Sequence, residues 1–342
     1  MSIRLGLVGY GVGGQLFHAP YIRASEGCDL VGIVARSSGR VIASRNENPG
    51  VVVYSSLGAM IDAGIDAVVI STPPITRESL VLEALGRGVH VVADKPFAPS
   101  AAAGRQLATA AARAGLVLNV FHNRRYDTDI VTARAVITSG NLGHVTRLDL
   151  RCDQDDAGTF EGGPTGGLLR DLGSHVVDQA LSLLGPARFV SAQLDVIETP
   201  AGTTDSGFVI AITHENGAHS HVSSSKLNHL DSRELRLHGD RGSYTSNFSD
   251  VQIEALRAGK EPAGRRHTWG YEKQERWGVL STDAGNRQVP SQQGDYAVFY
   301  DAFAHAVECG GPGPVPAFEG VSVLQVLDAA RTSAADHRTV AL

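Results

Sequence analysis

Short, nearly continuous apolar runs alternate with longer amphipathic stretches through the first third of the chain. After about His122, period-two alternation takes over. The run beginning at Ile3 and those at Asp29–Ala35, Val51–Tyr54, Asp66–Ser71, Val89–Ala93 and Leu116–Phe121 are predicted strands. Apolar on both faces, they fit strands covered above and below. Helices are predicted from Gly14 through Ile22, from about Thr76 to Arg87, and from a Ser100 cap to Gly115. Such alternation predicts an α/β fold with a doubly wound parallel sheet of Rossmann type. Ligands on such sheets bind beyond the carboxyl ends of the strands, where Gly9, Arg36, Thr72 with Pro73, and Lys95 lie.

The second part reads differently. A helix near Thr128–Ser139 precedes a strand at Val145–Cys152, a glycine-rich loop and a helix from about Leu168 to Leu184, stopped by Gly185-Pro186. From Phe189 to Tyr244 successive antiparallel strands are expected, with Asn216-Gly217 as a hairpin turn. Leu256–Gln288 has no clear period, and helices at Tyr296–Cys309 and Gly320–Ala335 close the chain. This predicts an α+β domain with a large, mostly antiparallel open sheet. The change of pattern divides the chain into a cofactor domain at 1–122 and a substrate and oligomerisation domain at 123–342.

Composition narrows the class. The 342 residues suffice for two cores, and a net charge of −6 without basic tracts argues against nucleic acid. No run approaches a membrane span. Three widely spaced cysteines, Cys28, Cys152 and Cys309, show neither metal-ligand spacing nor an even count, so a reducing, cytoplasmic location without a metal is expected. With a strand predicted to begin at Ile3, no leader is expected.

The chemistry starts at Gly9, Gly11, Val12, Gly13 and Gly14, a G-x-G-x-x-G turn between strand and helix. It suits a pyrophosphate at a helix N-terminus. An NAD site usually places a carboxylate after the second strand; here Arg36 and Ser37 stand instead. Arg36 is either an ordinary surface arginine or a partner for a 2′-phosphate, and the second reading favours NADP(H). Asp94-Lys95-Pro96 puts an ammonium at the crevice rim. Asp171 and His175 share a helix face four residues apart, as a solvated pair or as an imidazole oriented by a carboxylate. His122, Asn123 and Arg124 end the sixth strand, either to hold substrate hydroxyls or to form a hydrogen-bonded cluster. His219 and His221 share a strand face without a third metal ligand in sight.

In order, Gly9–Gly14, Asp94-Lys95-Pro96 and the segment from Gly166-Gly167 through Asp171, Gly173, His175 and Asp178 resemble the motifs of the Gfo/Idh/MocA family. The resemblance covers the chain. Within the family it is similar to NADP-dependent scyllo-inositol dehydrogenases, through Phe121–Asp127, Asp171–Gln179, Glu254–Gly259 and Trp269-Gly270. It implies Lys95, Asp171 and His175 as the catalytic group, with Arg36 and Ser37 selecting the cofactor. His175 would accept a hydroxyl proton, Asp171 would orient it, and Lys95 would hydrogen-bond the same oxygen. The implied substrate is a cyclic polyol, and the implied assembly a homodimer or homotetramer. The chain departs from the pattern at Asp94 for Glu, Arg170 for Tyr, and an acidic, glycine-rich Asp153–Gly163. A reductase of another sugar or keto-sugar, or an NADP-binding sensor without turnover, are the alternatives. The complete Lys95, Asp171 and His175 set argues against the sensor.

Overall fold

A computed structural model describes residues 2–163, 166–247 and 250–342. Strands β1 (Ile3–Val8), β2 (Cys28–Val34), β3 (Val52–Tyr54), β4 (Ala67–Ile70), β5 (His90–Asp94) and β6 (Leu118–Phe121) form one parallel sheet in the order β3-β2-β1-β4-β5-β6. Leu5, Leu7, Val68, Val69, Val91 and Val92 are wholly buried, which is why these strands lack a polar face. The order reverses at β1, so the crevice beyond its carboxyl end is the switch point where such sheets bind ligands.

The helices follow local signals. Ser100 caps Ala101–Ala114 by accepting the Ala103 N–H at 3.3 Å, and Gly115 ends that helix in the left-handed region at φ 67°. The stretch after the glycine turn is not the single regular helix its sequence suggested. Gly13–His18 forms a wide π-type turn, and α-helix resumes only at Ala19–Ala24. Pro20 has no N–H for the residue four positions back, so the regular ladder cannot run through it.

The chain divides into two compact units. The first comprises Met1–Asn123 together with Gln252–Trp269 and Asp295–Val321, and the second Arg124–Val251, Gly270–Gly294 and Ser322–Leu342. The first boundary between the units falls at Asn123/Arg124, and neither unit is a single contiguous stretch of chain. The helix Ala297–Cys309 brings Phe299 and Tyr300 against Phe121, and Tyr296 against Tyr21, in the first unit. An apolar helix face announces burial but not the partner that buries it.

The second unit holds β7 (Val145–Asp153), β8 (Ala187–Thr199), β9 (Gly202–His214), β10 (His219–Ser225), β11 (Ser232–Gly239), β12 (Gly242–Asn247), β13 (Gly278–Thr282), β14 (Gly285–Val289) and β15 (Val340–Ala341). Their order is β14-β13-β12-β11-β7-β10-β9-β8-β15. All neighbours are antiparallel except β7 and β10, so the expected run of successive antiparallel strands is interrupted where β7 inserts between β10 and β11. Leu148, Leu150, Val222, Leu235 and Leu237 point inward, and the helix Ser174–Leu184 packs on β7 and β10. The other face is polar. There Asp149 accepts from His221 at 2.9 Å and lies 3.3 Å from His238.

Candidate active site

Beyond β1, the glycine turn is fixed by close backbone approach. Gly9 has φ +102°, and a Cβ there would stand 2.2 Å from the Ser71 carbonyl oxygen. A Cβ on Gly14 would stand 2.1 Å from the Gly9 carbonyl oxygen, so neither position admits a side chain. Val12 at the crest is 68% exposed. A cradle that a Cβ would fill, opening onto a helical turn, fits a dinucleotide pyrophosphate.

Arg36 and Ser37 follow β2 in an exposed loop, and Ser37 occupies the N-cap of the helix Ser38–Glu47. The guanidinium of Arg40, in the first turn of that helix, comes within 3.6 Å of a Cβ placed on Gly11. Arg40 escaped the reading of the sequence. Its spacing of four from Arg36 was the available signal, since it sets a second cation at the same helix start.

Two loops beyond β4 and β5 are tied together by Arg77, another residue the sequence did not single out. Buried at 4% exposure, it donates through Nη2 to the Thr72 carbonyl at 2.6 Å and through Nη1 to the Pro96 carbonyl. Pro73 caps the helix Pro74–Gly86, so the Thr72-Pro73 and Lys95-Pro96 segments share one buried anchor. Asp94 folds back on its own strand end. Its Oδ1 accepts the Lys95 N–H at 2.8 Å, and its Oδ2 accepts the Ser71 hydroxyl at 2.9 Å. His122 and Asn123, at the end of β6, are both buried.

In the second unit, Asp171 lies in a π-type turn, Leu169–Gly173, and His175 in the first turn of the regular helix Ser174–Leu184. The helix expected from Leu168 is therefore split into a wide turn and a regular part. Asp205 on β9 holds its start: Oδ2 accepts the Leu169 N–H at 2.5 Å. Gly167, at φ +94°, leaves the carboxylate room, because a Cβ there would stand 2.3 Å from Asp205 Oδ1. The Asp171 N–H reaches the Gly167 carbonyl at 3.2 Å, and Ser174 Oγ donates to the Asp171 carbonyl at 2.8 Å. His175 is 8% exposed. The rest of the helix is fastened by Asp178, which accepts a two-pronged pair from Arg125 at 2.8 and 2.6 Å, and by Gln179 donating to the Arg124 carbonyl at 3.1 Å.

Arg124 belongs to a buried ion cluster. Its guanidinium lies 3.1 Å from Asp127 and 2.7 Å from Asp250, and Arg233 lies 3.0 and 3.2 Å from the same two carboxylates. A cavity of about 10 Å³, room for about one water, is lined by Arg124, Asp129, Cys152, His175, Gln179 and Arg233 among others. Burial pushes the Asp129 carboxyl up to about 8, against the pull of Arg233 and with the help of Asp127. The departures at Arg170 and Asp153–Gly163 are coupled: Arg170 pairs with Glu161, and Lys226 Nζ, itself buried, donates to Thr159 Oγ1 at 2.6 Å. Among the described residues, no group of three or more potential ligands could hold a metal, and no helix is long and apolar enough to cross a membrane.

The sequence pattern of an oxidoreductase family with an NAD-binding Rossmann fold matches residues 3–122, and that of the GFO/IDH/MocA C-terminal domain matches 130–245. The oxidoreductase YdgJ of Escherichia coli is 33% identical, over 100% of this chain and 99% of its own. The scyllo-inositol 2-dehydrogenase (NADP(+)) IolW of Bacillus subtilis is 29% identical, over 100% of this chain and 96% of its own. The solved structure of yvaA from Bacillus subtilis superposes with a TM-score of 0.91 at 28% identity, over 100% of this chain and 99% of that one. Matched in both parts and along its whole length, the chain belongs to the Gfo/Idh/MocA family of oxidoreductases.

Proposed function

We propose that the protein is an NADP(H)-dependent oxidoreductase that reversibly converts a secondary alcohol of a cyclic polyol, scyllo-inositol foremost, to the ketone. One observation carries the cofactor choice: two arginines, Arg36 and Arg40, flank the helix start beside the glycine turn, where an NAD site would carry a carboxylate. The substrate choice is supported by the full-length similarity to IolW, whose own activity is on scyllo-inositol with NADP+.

Gly9, Gly11, Val12, Gly13 and Gly14 are assigned to the pyrophosphate, and Arg36, Ser37 and Arg40 to the 2′-phosphate. Thr72 and Pro73 are assigned to the inner half of the dinucleotide. When bound, the cofactor supplies the hydride acceptor or donor at its nicotinamide. Lys95 Nζ is the donor to the reacting oxygen and stabilises its developing negative charge. The His175 imidazole takes the hydroxyl proton during oxidation and returns it during reduction. Asp171 favours the imidazole orientation that allows this transfer. His122 and Asn123 are offered as contacts to the remaining hydroxyls, with Arg124 acting through its ion cluster.

The test is a panel of inositols, pyranoses and keto-sugars with NADP(H) and NAD(H), followed by NADPH or NADH absorbance. The expected result is turnover of scyllo-inositol ahead of myo-inositol, faster with NADP+. Inert inositols beside an active pyranose would overturn the substrate part, and equal rates with both cofactors would overturn the cofactor part.

A further inference from the structure

The π-type turn that opens on the glycine fingerprint ends at His18, whose ring is wholly buried. Its Nδ1 lies 2.6 Å from the Tyr300 hydroxyl, and its Nε2 lies 3.5 Å from Asp94 Oδ2. The ring also lies against Phe121, with centroids 4.3 Å apart. A Cβ on Gly13, at the start of the same turn, would stand 2.7 Å from Ser71 Oγ and 3.3 Å from Asp94 Oδ2. Both ends of the turn therefore bear on one carboxylate. That carboxylate holds the Lys95 backbone N–H through its other oxygen.

Burial keeps the Tyr300 phenol protonated well above its ordinary range, and a protonated phenol can donate to His18 Nδ1. With the phenol donating, the imidazole proton sits on Nε2, which faces Asp94. Burial alone would raise the Asp94 carboxyl, but the facing His18 imidazole and the charges of Arg77 and Lys95 outweigh it and hold it well below the usual carboxylate range. An ionised Asp94 accepts from Ser71 on one oxygen and from the Lys95 N–H on the other, and His18 Nε2 faces the first oxygen across 3.5 Å.

We propose that His18 is a positioning residue for Lys95, linking the phosphate-binding turn to the lysine through Asp94, with Tyr300 fixing the orientation of its ring. No reactant need touch His18. Its consequence for turnover rests on the reading of Lys95 as the donor to the reacting oxygen. Occupation of the glycine turn and the placement of that ammonium are then coupled through a path of four residues, Gly13, His18, Asp94 and Lys95. A displacement of about 1 Å at a reacting group can cost about 100-fold in rate, so a small shift in the Asp94 carboxylate matters.

The chain offers a direct probe, because it contains only four lysines: Lys95, Lys226, Lys260 and Lys273. Reductive methylation with ¹³C-formaldehyde gives each a resolvable NMR signal, and Lys95→Arg identifies that of Lys95. NADPH is added alone, so no substrate has to be known. In the unmodified protein the Lys95 signal is expected apart from those of the exposed Lys260 and Lys273, and to move on NADPH addition. In His18→Leu it should drift toward the exposed signals, and its NADPH response should fall by about half or more. Tyr300→Phe, which keeps the ring packing, should give a smaller change in the same direction and decides the matter if His18→Leu does not fold. His18→Gln, whose amide can still donate toward Asp94, should restore part of the response. With scyllo-inositol and NADP+, His18→Leu should lower kcat about 10- to 100-fold, and should add little to the loss already caused by Lys95→Ala. A Lys95 signal and NADPH response unchanged in both His18→Leu and Tyr300→Phe would overturn the proposal. Full turnover in Lys95→Ala with the NMR changes present would instead remove the catalytic reading and leave the positioning intact.

Discussion

Arg36 and Arg40 make the proposed cofactor preference testable by single charge changes. Arg36→Asp should weaken NADP+ binding about 10-fold or more while leaving NAD+ within about threefold, because a lost charge-assisted pair is replaced by repulsion only where a phosphate is present. Arg40→Ala should weaken NADP+ by a smaller factor; titration calorimetry with both cofactors reads the two effects. Asp129 tests the second unit. Its folded-state pKa, about 8, is raised above the ordinary carboxyl value near 3.9, so the native state holds a proton the unfolded chain has released. The stability it contributes is complete below about pH 4 and is lost as pH rises toward 8. Asp129→Asn keeps the neutral form, so the variant's thermal midpoint should fall less than that of the unmodified protein between pH 5 and about pH 8. Parallel midpoint curves for the two proteins would show that Asp129 is not neutral in the folded state.

At the scale of elements, the turn Leu169–Gly173 presents Asp171 because Asp205 holds its first N–H and Gly167 clears the way. Asp205→Ala should lower kcat about 10-fold with NADP+ affinity unchanged, since the cap lies in the second unit and the glycine turn in the first. Gly167→Ala should be worse, from positive φ and the Asp205 contact together, with a drop in thermal midpoint as well. Much of this was legible from local chemistry: the Gly9 turn, the Ser100 cap, the Gly115 stop and the hairpin at Gly217, φ +87°. The hairpin β13/β14 was not, because Gly285–Val289 is almost wholly exposed and offers no apolar alternation. Pro20 is the local signal for the break in the first helix. Asp205, Arg77 and His18 were invisible as site residues, since each has a partner (Leu169, Pro96 and Asp94) that is distant in sequence.

For the molecule as a whole, the first unit contains the glycine turn, Arg36, Arg40 and Lys95, and the second contains Asp171 and His175. Cofactor affinity and acid–base chemistry should therefore respond to different mutations. The sequence divided the chain by pattern, but the return of Gln252–Trp269 and Asp295–Val321 to the first unit depends on which aromatic surfaces meet, and no local period encodes that. The most direct test compares the unmodified protein with His175→Ala and Lys95→Ala, measuring NADPH formation from scyllo-inositol beside the dissociation constant for NADPH. Each variant should lose about 10²- to 10⁴-fold in kcat, the usual worth of a positioned acid–base group, with NADPH affinity within about threefold for His175→Ala. Full kcat in His175→Ala, or a loss explained entirely by weaker NADPH binding, would contradict the account.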